Sequence, residues 1–196
     1  PPPGLSGLAY MDWATYEDGG NILPQETRNI ALKHDRDAML WLLANVKGSP
    51  VVLEAFHYMG GYRWGGRFSI YTGLPTIMGW DWHQTQQRNA GGRGVIEQRM
   101  QEVQTLYNSA SLAEVQPLLE RYHVSYIVVG ELERALYQPA GIAKFDGLLR
   151  SGAAELVYQS PAGMRDVKTG EPAVKIYRLK DAGQARAGGP EEGDGT

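Results

Sequence analysis

The chain contains no cysteine, only three phenylalanines and only four histidines among 196 residues. Without cysteine there is no disulfide framework, no thiolate zinc site and no thiol nucleophile, while the cellular compartment stays open. No apolar run approaches the roughly 18 residues of a membrane span, so the sequence shown carries no span of its own. Neither sign of charge dominates: 19 basic against 22 acidic residues leave a formal net charge of −3. With a pI near 5.8, that balance argues against a general nucleic-acid binder. Nothing resembles a signal peptide, and the first residue is Pro1 rather than Met, as expected for a piece of something longer.

What is present is a 42% apolar composition, too high for a disordered chain, in a length suited to one compact domain with or without tails. The 25 glycines and 11 prolines exceed ordinary usage and are expected in loops and ends. Residues 1–34 read as an extended lead-in, beginning Pro1-Pro2-Pro3-Gly4, followed by a loop whose Tyr10, Trp13 and Tyr16 are expected to pack on a neighbouring surface. A helix follows, capped by Asp35 or Asp37 and stopped by Gly48 and Pro50. Val51–Leu53 reads as a short buried strand ending at Glu54, and Tyr126–Val129 as a second, closed by Gly130. Between them a helix is expected from Val95, and another from Ser111, whose spacing to Glu114 matches a capping box and which Pro117 should kink or restart. A short helical stretch is expected from Glu131, then strands at Leu156–Gln159 and Val174–Leu179. Residues 35–180 thus form the expected domain: an α/β layer fold with a small mixed sheet and flanking helices. Residues 181–196 read as a flexible acidic tail.

Residues 55–94 show almost no periodicity and read as one long loop. They hold nine glycines, eight aromatics and the arginines Arg63, Arg67, Arg88 and Arg93 against a single acid, Asp81. Disordered loops are poor in aromatics, and ordered loops of this length usually bind something. Arginine forks bind phosphate or carboxylate, aromatic faces such as Tyr71, Trp80 and Trp82 stack on planar groups or sugars, and glycines let backbone N–H groups approach an anion. Glu54, at the carboxyl end of a strand, stands where open α/β sheets place ligands, and Glu131 and Arg134 follow a second strand end in the same way. These residues support a sugar, phosphate or phosphosugar site. The same composition also suits a loop that packs over the sheet, with its arginines paired to surface acids. Asp81, His83 and His57 could ligate a metal, although the Asp-x-His spacing lacks a second anchored pair and the default is no metal in this domain. No GxGxxG follows the first strand into a helix, and Ser69 and Ser160 lack the context of a hydrolase elbow.

The run from Gly66 to Trp80, Gly-Arg-Phe-Ser-Ile-Tyr-Thr-Gly-Leu-Pro-Thr-Ile-Met-Gly-Trp, resembles the GRxSxxTGLPTxxGW stretch of the YYY family of polytopic membrane proteins from archaea and Chloroflexi-type bacteria. Leu53-Glu54-Ala55, the Trp82-His83-Gln84 run through Gln87 and Arg88, Tyr126–Gly130 and Leu132-Glu133-Arg134 agree with it, so the likeness extends over about residues 5–180. One departure stands at Gln86 and Gln87, near which family members often carry tryptophan. The family is similar in layout to GT-C glycosyltransferases, which join many membrane helices to a carboxyl-terminal extracytoplasmic α/β domain. The resemblance implies that this chain is such a domain, inactive alone, with the membrane-embedded part of the same polypeptide as its partner and a sugar or polyprenyl-phosphate-linked sugar as ligand. It implies Arg63, Arg67 and Arg88 as anion holders, with Ser69, Tyr71, Thr72, Trp80, Trp82, His83, Gln84 and Gln87 around the sugar. Glu54 becomes a ligand or structural contact, because the catalytic carboxylate of such enzymes commonly lies in a membrane-part loop. A divalent metal stays open for the parent, and a recognition or scaffold role for a glycan or protein is the alternative.

Overall fold

The β-branched runs at 51–53 and 126–129 and the alternating stretch at 175–179 set the frame, because the first two are apolar on both sides and must be covered on both. The computed structural model describes residues 7–17, 29–57, 63–87 and 89–180. The proline-rich lead-in and the acidic tail lie outside the described residues. Strands β3 (Val51–Leu53), β4 (Val124–Val129), β5 (Ala154–Gln159) and β6 (Lys175–Leu179) form a four-stranded mixed sheet in the order β3-β4-β6-β5. The β3–β4 pair is parallel, with Leu53 opposite Ile127, and the other two pairs are antiparallel. A two-stranded antiparallel ribbon, β1 (Thr15–Glu17) with β2 (Asn29–Ala31), stands apart from this sheet.

Alternation along β4 divides the core. Ile127 and Val129 join one buried cluster with Ile96, Val103, Tyr107, Val115 and Phe145. These come from α4 (Asn89–Asn108), α5 (Leu112–Arg121) and α7 (Pro139–Arg150). Val128 and Ile176 join the other cluster, with Ala38, Met39 and Leu42 of α1 (Leu32–Asn45), Phe68 of α2 (Arg67–Thr72) and Met11. The sheet is therefore covered on both faces, as the apolar strands β3 and β4 require.

Three local expectations change. The first helix begins at Leu32, directly from β2, so Asp35 lies inside its first turn and does not cap it. Pro117 stays within α5 as its sixth residue, and Ser111 Oγ accepts from Glu114 N at 3.4 Å as its cap. Most important, 55–94 is not one long loop: α2, α3 (Asp81–Gln87) and the first turns of α4 occupy much of it.

Candidate functional site

The carboxyl ends of the parallel strands carry the chemistry. Glu54 leaves β3 and turns inward, where Oε2 accepts from Phe68 N at 2.7 Å and Oε1 from Ser69 N at 2.7 Å. A side chain distant in sequence thus serves two otherwise unpaired amides at the start of α2, which has no side-chain cap of its own. Gly66 precedes the helix at φ 74°, a left-handed conformation open to glycine. Burial pushes the Glu54 carboxyl up to about 8, against the opposing pull of Arg67 and the two N–H donors.

Arg67, the first residue of α2, is 1% exposed. Its Nε donates to Asp35 Oδ2 at 2.6 Å, its Nη1 to Glu133 Oε1 at 2.9 Å, and its Nη2 to Asp35 Oδ1 at 3.2 Å and Glu133 Oε2 at 2.9 Å. Glu133, from α6 (Glu131–Leu136), also accepts from Ala55 N and Gly130 N. Burial works to lower the guanidinium pKa, but the two carboxylates outweigh it and hold Arg67 charged. Burial likewise works to raise Glu133, but Arg67 and the backbone donors bring it below its ordinary value. The cluster joins α1, α2, α6 and the end of β3 through one cation. Arg67 therefore holds internal carboxylates where an external anion was expected, because its fork is engaged on both sides and sealed from solvent.

Above this cluster lies a series of rings. Tyr16 is tilted against His57 at 5.9 Å between centroids and stacks on Trp64 at 6.4 Å. Trp64 meets Tyr71 at 5.8 Å, and the hydroxyls of Tyr71 and Tyr10 are 2.6 Å apart. Trp64 Nε1 donates to Asp35 Oδ2 at 2.7 Å, which ties the rings to the ionic cluster. His57 is buried, Tyr16, Trp64 and Tyr71 are half-buried, and Tyr10 is the most open of the five. Tyr10 and Tyr16 thus make the ring contacts their sequence context predicts, whereas Trp13, expected to pack with them, is 72% exposed. Trp64 had no assigned role, and its place between the tyrosines became visible only when residues far apart in sequence met.

The remaining candidates divide by position. Arg63 is half-buried, and its carbonyl accepts from Trp80 Nε1 at 2.9 Å. Thr72 Oγ1 is turned inward to Phe68 O, and Ser69 is half-buried. On α3, Asp81 is buried with Oδ1 accepting from Trp82 N, Trp82 is 59% exposed, and His83 Nε2 lies 2.7 Å from Gln87 Nε2. Gln84 N donates to Trp80 O. Arg88 lies outside the described residues. Among the described residues no group of three or more His, Asp or Glu is arranged to hold a metal.

Glu131 and Arg134 border a separate cleft of about 290 Å³ between α6, α7 and the segment 166–175. Glu131 Oε2 is 2.8 Å from His34 Nδ1, and this bond raises the histidine pKa against the effect of burial. Arg134 donates to Asp166 Oδ2 at 3.4 Å and to the carbonyls of Ala173 and Pro172. Its role in the fold is to fasten the segment before β6.

No protein-family model matches the chain, and neither does any curated protein sequence. Among solved structures, the chain is similar to the crystal structure of the C-terminal globular domain of oligosaccharyltransferase from Archaeoglobus fulgidus. That match has 12% identity and a TM-score of 0.40, covering 75% of this chain and 97% of that one.

Proposed function

We propose that this chain is the extracytoplasmic sugar-binding domain of a GT-C-like membrane glycosyltransferase that handles lipid-linked phosphosugar. Chemistry in this reading belongs to the membrane-embedded part of the polypeptide. The carrying observation is the ring series Tyr16–Trp64–Tyr71–Tyr10, held half-open at the carboxyl end of the parallel strands. Stacked amphipathic rings with hydroxyl edges offer an apolar face to a pyranose and hydrogen bonds to its rim. The long Gly66–Trp80 resemblance supplies the membrane context, and the inward-facing Glu54 suits a structural acid better than a general base. With Arg67 engaged by Asp35 and Glu133, it is not the anion holder in this reading, and the 59% exposed Trp82 extends the sugar surface.

The test is tryptophan-fluorescence titration of the purified chain with oligosaccharides and with a polyprenyl-phosphate-sugar analogue, repeated on Tyr71→Ala and Trp82→Ala. Saturable binding weakened about tenfold by Tyr71→Ala is expected, since one aromatic contact contributes on the order of 1 kcal/mol beyond its buried area. Absence of binding at millimolar ligand in both this chain and the full-length membrane protein overturns the reading.

A further inference from the structure

A second surface, which shares no residue with the ring series although the bordering 3-10 helix carries Tyr10, has its own chemistry. The outward stripe of α1 is Lys33, Arg36, Leu40 and Leu43, at offsets of zero, three, seven and ten residues, which lie on one side of a 3.6-residue helix. Leu40 is 40% and Leu43 50% exposed, although the opposite side of the same helix supplies Ala38, Met39 and Leu42 to the core. Lys33 is exposed at the amino end of the stripe, and exposed Lys47 follows the helix at its other end. The Arg36–Asp12 ion pair, at 2.6 Å, fixes the short 3-10 helix Ala9–Asp12 against this stripe. Trp13, 72% exposed, directly follows that 3-10 helix.

We propose that this face of α1, with Trp13, rests on an anionic lipid surface. Two open leucines and an indole supply the apolar contact, and lysines at both ends reach outward to acidic headgroups while their stems lie along the apolar surface. Arg36 is countered by Asp12 at 2.6 Å and Asp37 at 3.3 Å, so the lysines carry the attraction to an anionic surface on a chain that is net negative. Charge also argues against a second copy as occupant: a two-fold pairing about Leu40 and Leu43 with antiparallel helices sets Lys33 of each copy near Lys47 of the other, like against like. The face is independent of the sugar reading, since none of its residues belongs to the ring series.

The experiment is sedimentation of the purified chain with vesicles of phosphatidylcholine alone and of phosphatidylcholine with 30% phosphatidylglycerol (~30%, to give a surface potential of the anionic kind). The variants are Lys33→Gln/Lys47→Gln, Leu40→Ser/Leu43→Ser and Trp13→Ala. All five positions are exposed, so the variants should fold, and circular dichroism with thermal melting checks this. Binding only to anionic vesicles is expected, reduced about 30-fold by loss of both lysines, and weakened by each apolar variant. Equal binding to neutral vesicles, no binding to either, binding indifferent to the apolar variants, or a concentration-dependent dimer abolished by Leu40→Ser/Leu43→Ser would each overturn it. Sugar titration of the same variants separates the two readings, because lipid binding can be lost with sugar binding unchanged.

Discussion

At the scale of single residues, Arg67 decides most. It carries one positive charge into a space shared with Asp35 and Glu133, and three helices meet on it. Removing the cation leaves two buried carboxylates facing each other without compensation. Arg67→Met is therefore expected to lower unfolding free energy by about 3–5 kcal/mol, measured by urea denaturation. A change under about 1 kcal/mol would contradict the structural role given to it. Glu54 makes a separate prediction through pH. Its folded pKa, about 8 by burial, lies above the ordinary value of 4.5, so between these limits the folded chain holds a proton the unfolded chain has released. Its contribution to stability is complete below pH 4.5 and is lost as pH rises through about 8. Wild type should lose more stability than Glu54→Gln between pH 5 and pH 8.5 (~5 and ~8.5, bracketing the shift), with equal losses contradicting the assignment. In the sequence, Arg67 stands out in a basic, glycine-rich stretch that suggests an external anion. Its partners lie 32 and 66 residues away, and no spacing rule links them.

At the scale of elements, the strands were legible because β-branched runs at Val51–Leu53 and Tyr126–Val129 are too apolar for an exposed loop, and β6 alternates through Lys175 and Arg178. The helices of 55–94 were hidden for physical reasons. Helix α2 has six residues and α3 seven, shorter than two full turns, so neither builds a periodic pattern. The start of α2 is held by Glu54 across the fold, and α4 runs through Gly91, Gly92 and Gly94 against their intrinsic preference. Tertiary contacts hold these segments where local propensity does not. Another glycine shows how closely helices approach: a Cβ at Gly141 would lie 2.0 Å from the Tyr107 carbonyl oxygen at the end of α4. Lys144, one turn later, donates to Gly141 O and is within 3.5 Å of Tyr107 O. Gly141→Ala is expected to destabilise the chain by about 1–3 kcal/mol despite alanine's better helix propensity, because α7 must move off α4. A rise in melting temperature would show that this contact is not tight.

At the scale of the whole molecule, the sheet is covered on both faces, and the carboxyl ends of its parallel strands carry an ionic cluster beneath an aromatic series. The cluster is buried; Tyr16, Trp64 and Tyr71 above it are half-buried and Tyr10 is exposed. That division leaves stability with Arg67, Glu54 and Glu133, while the proposed function gives ligand contact to Tyr10, Tyr71 and the neighbouring tryptophans. The sequence indicated aromatics near Glu54 as sugar-facing, but ring-to-ring order emerged only when Tyr10 and Tyr16 folded back across about fifty residues onto Trp64 and Tyr71. The measurement that tests this division most directly is a two-dimensional NMR titration of the labelled chain with an oligosaccharide and with a polyprenyl-phosphate-sugar analogue. The account predicts saturable shifts concentrated on the side chains of Tyr10, Tyr16, Trp64 and Tyr71 and on the Trp82 indole, with the Arg67 guanidinium signals unmoved. Saturable shifts that centre elsewhere, or no shifts at millimolar ligand, would contradict it.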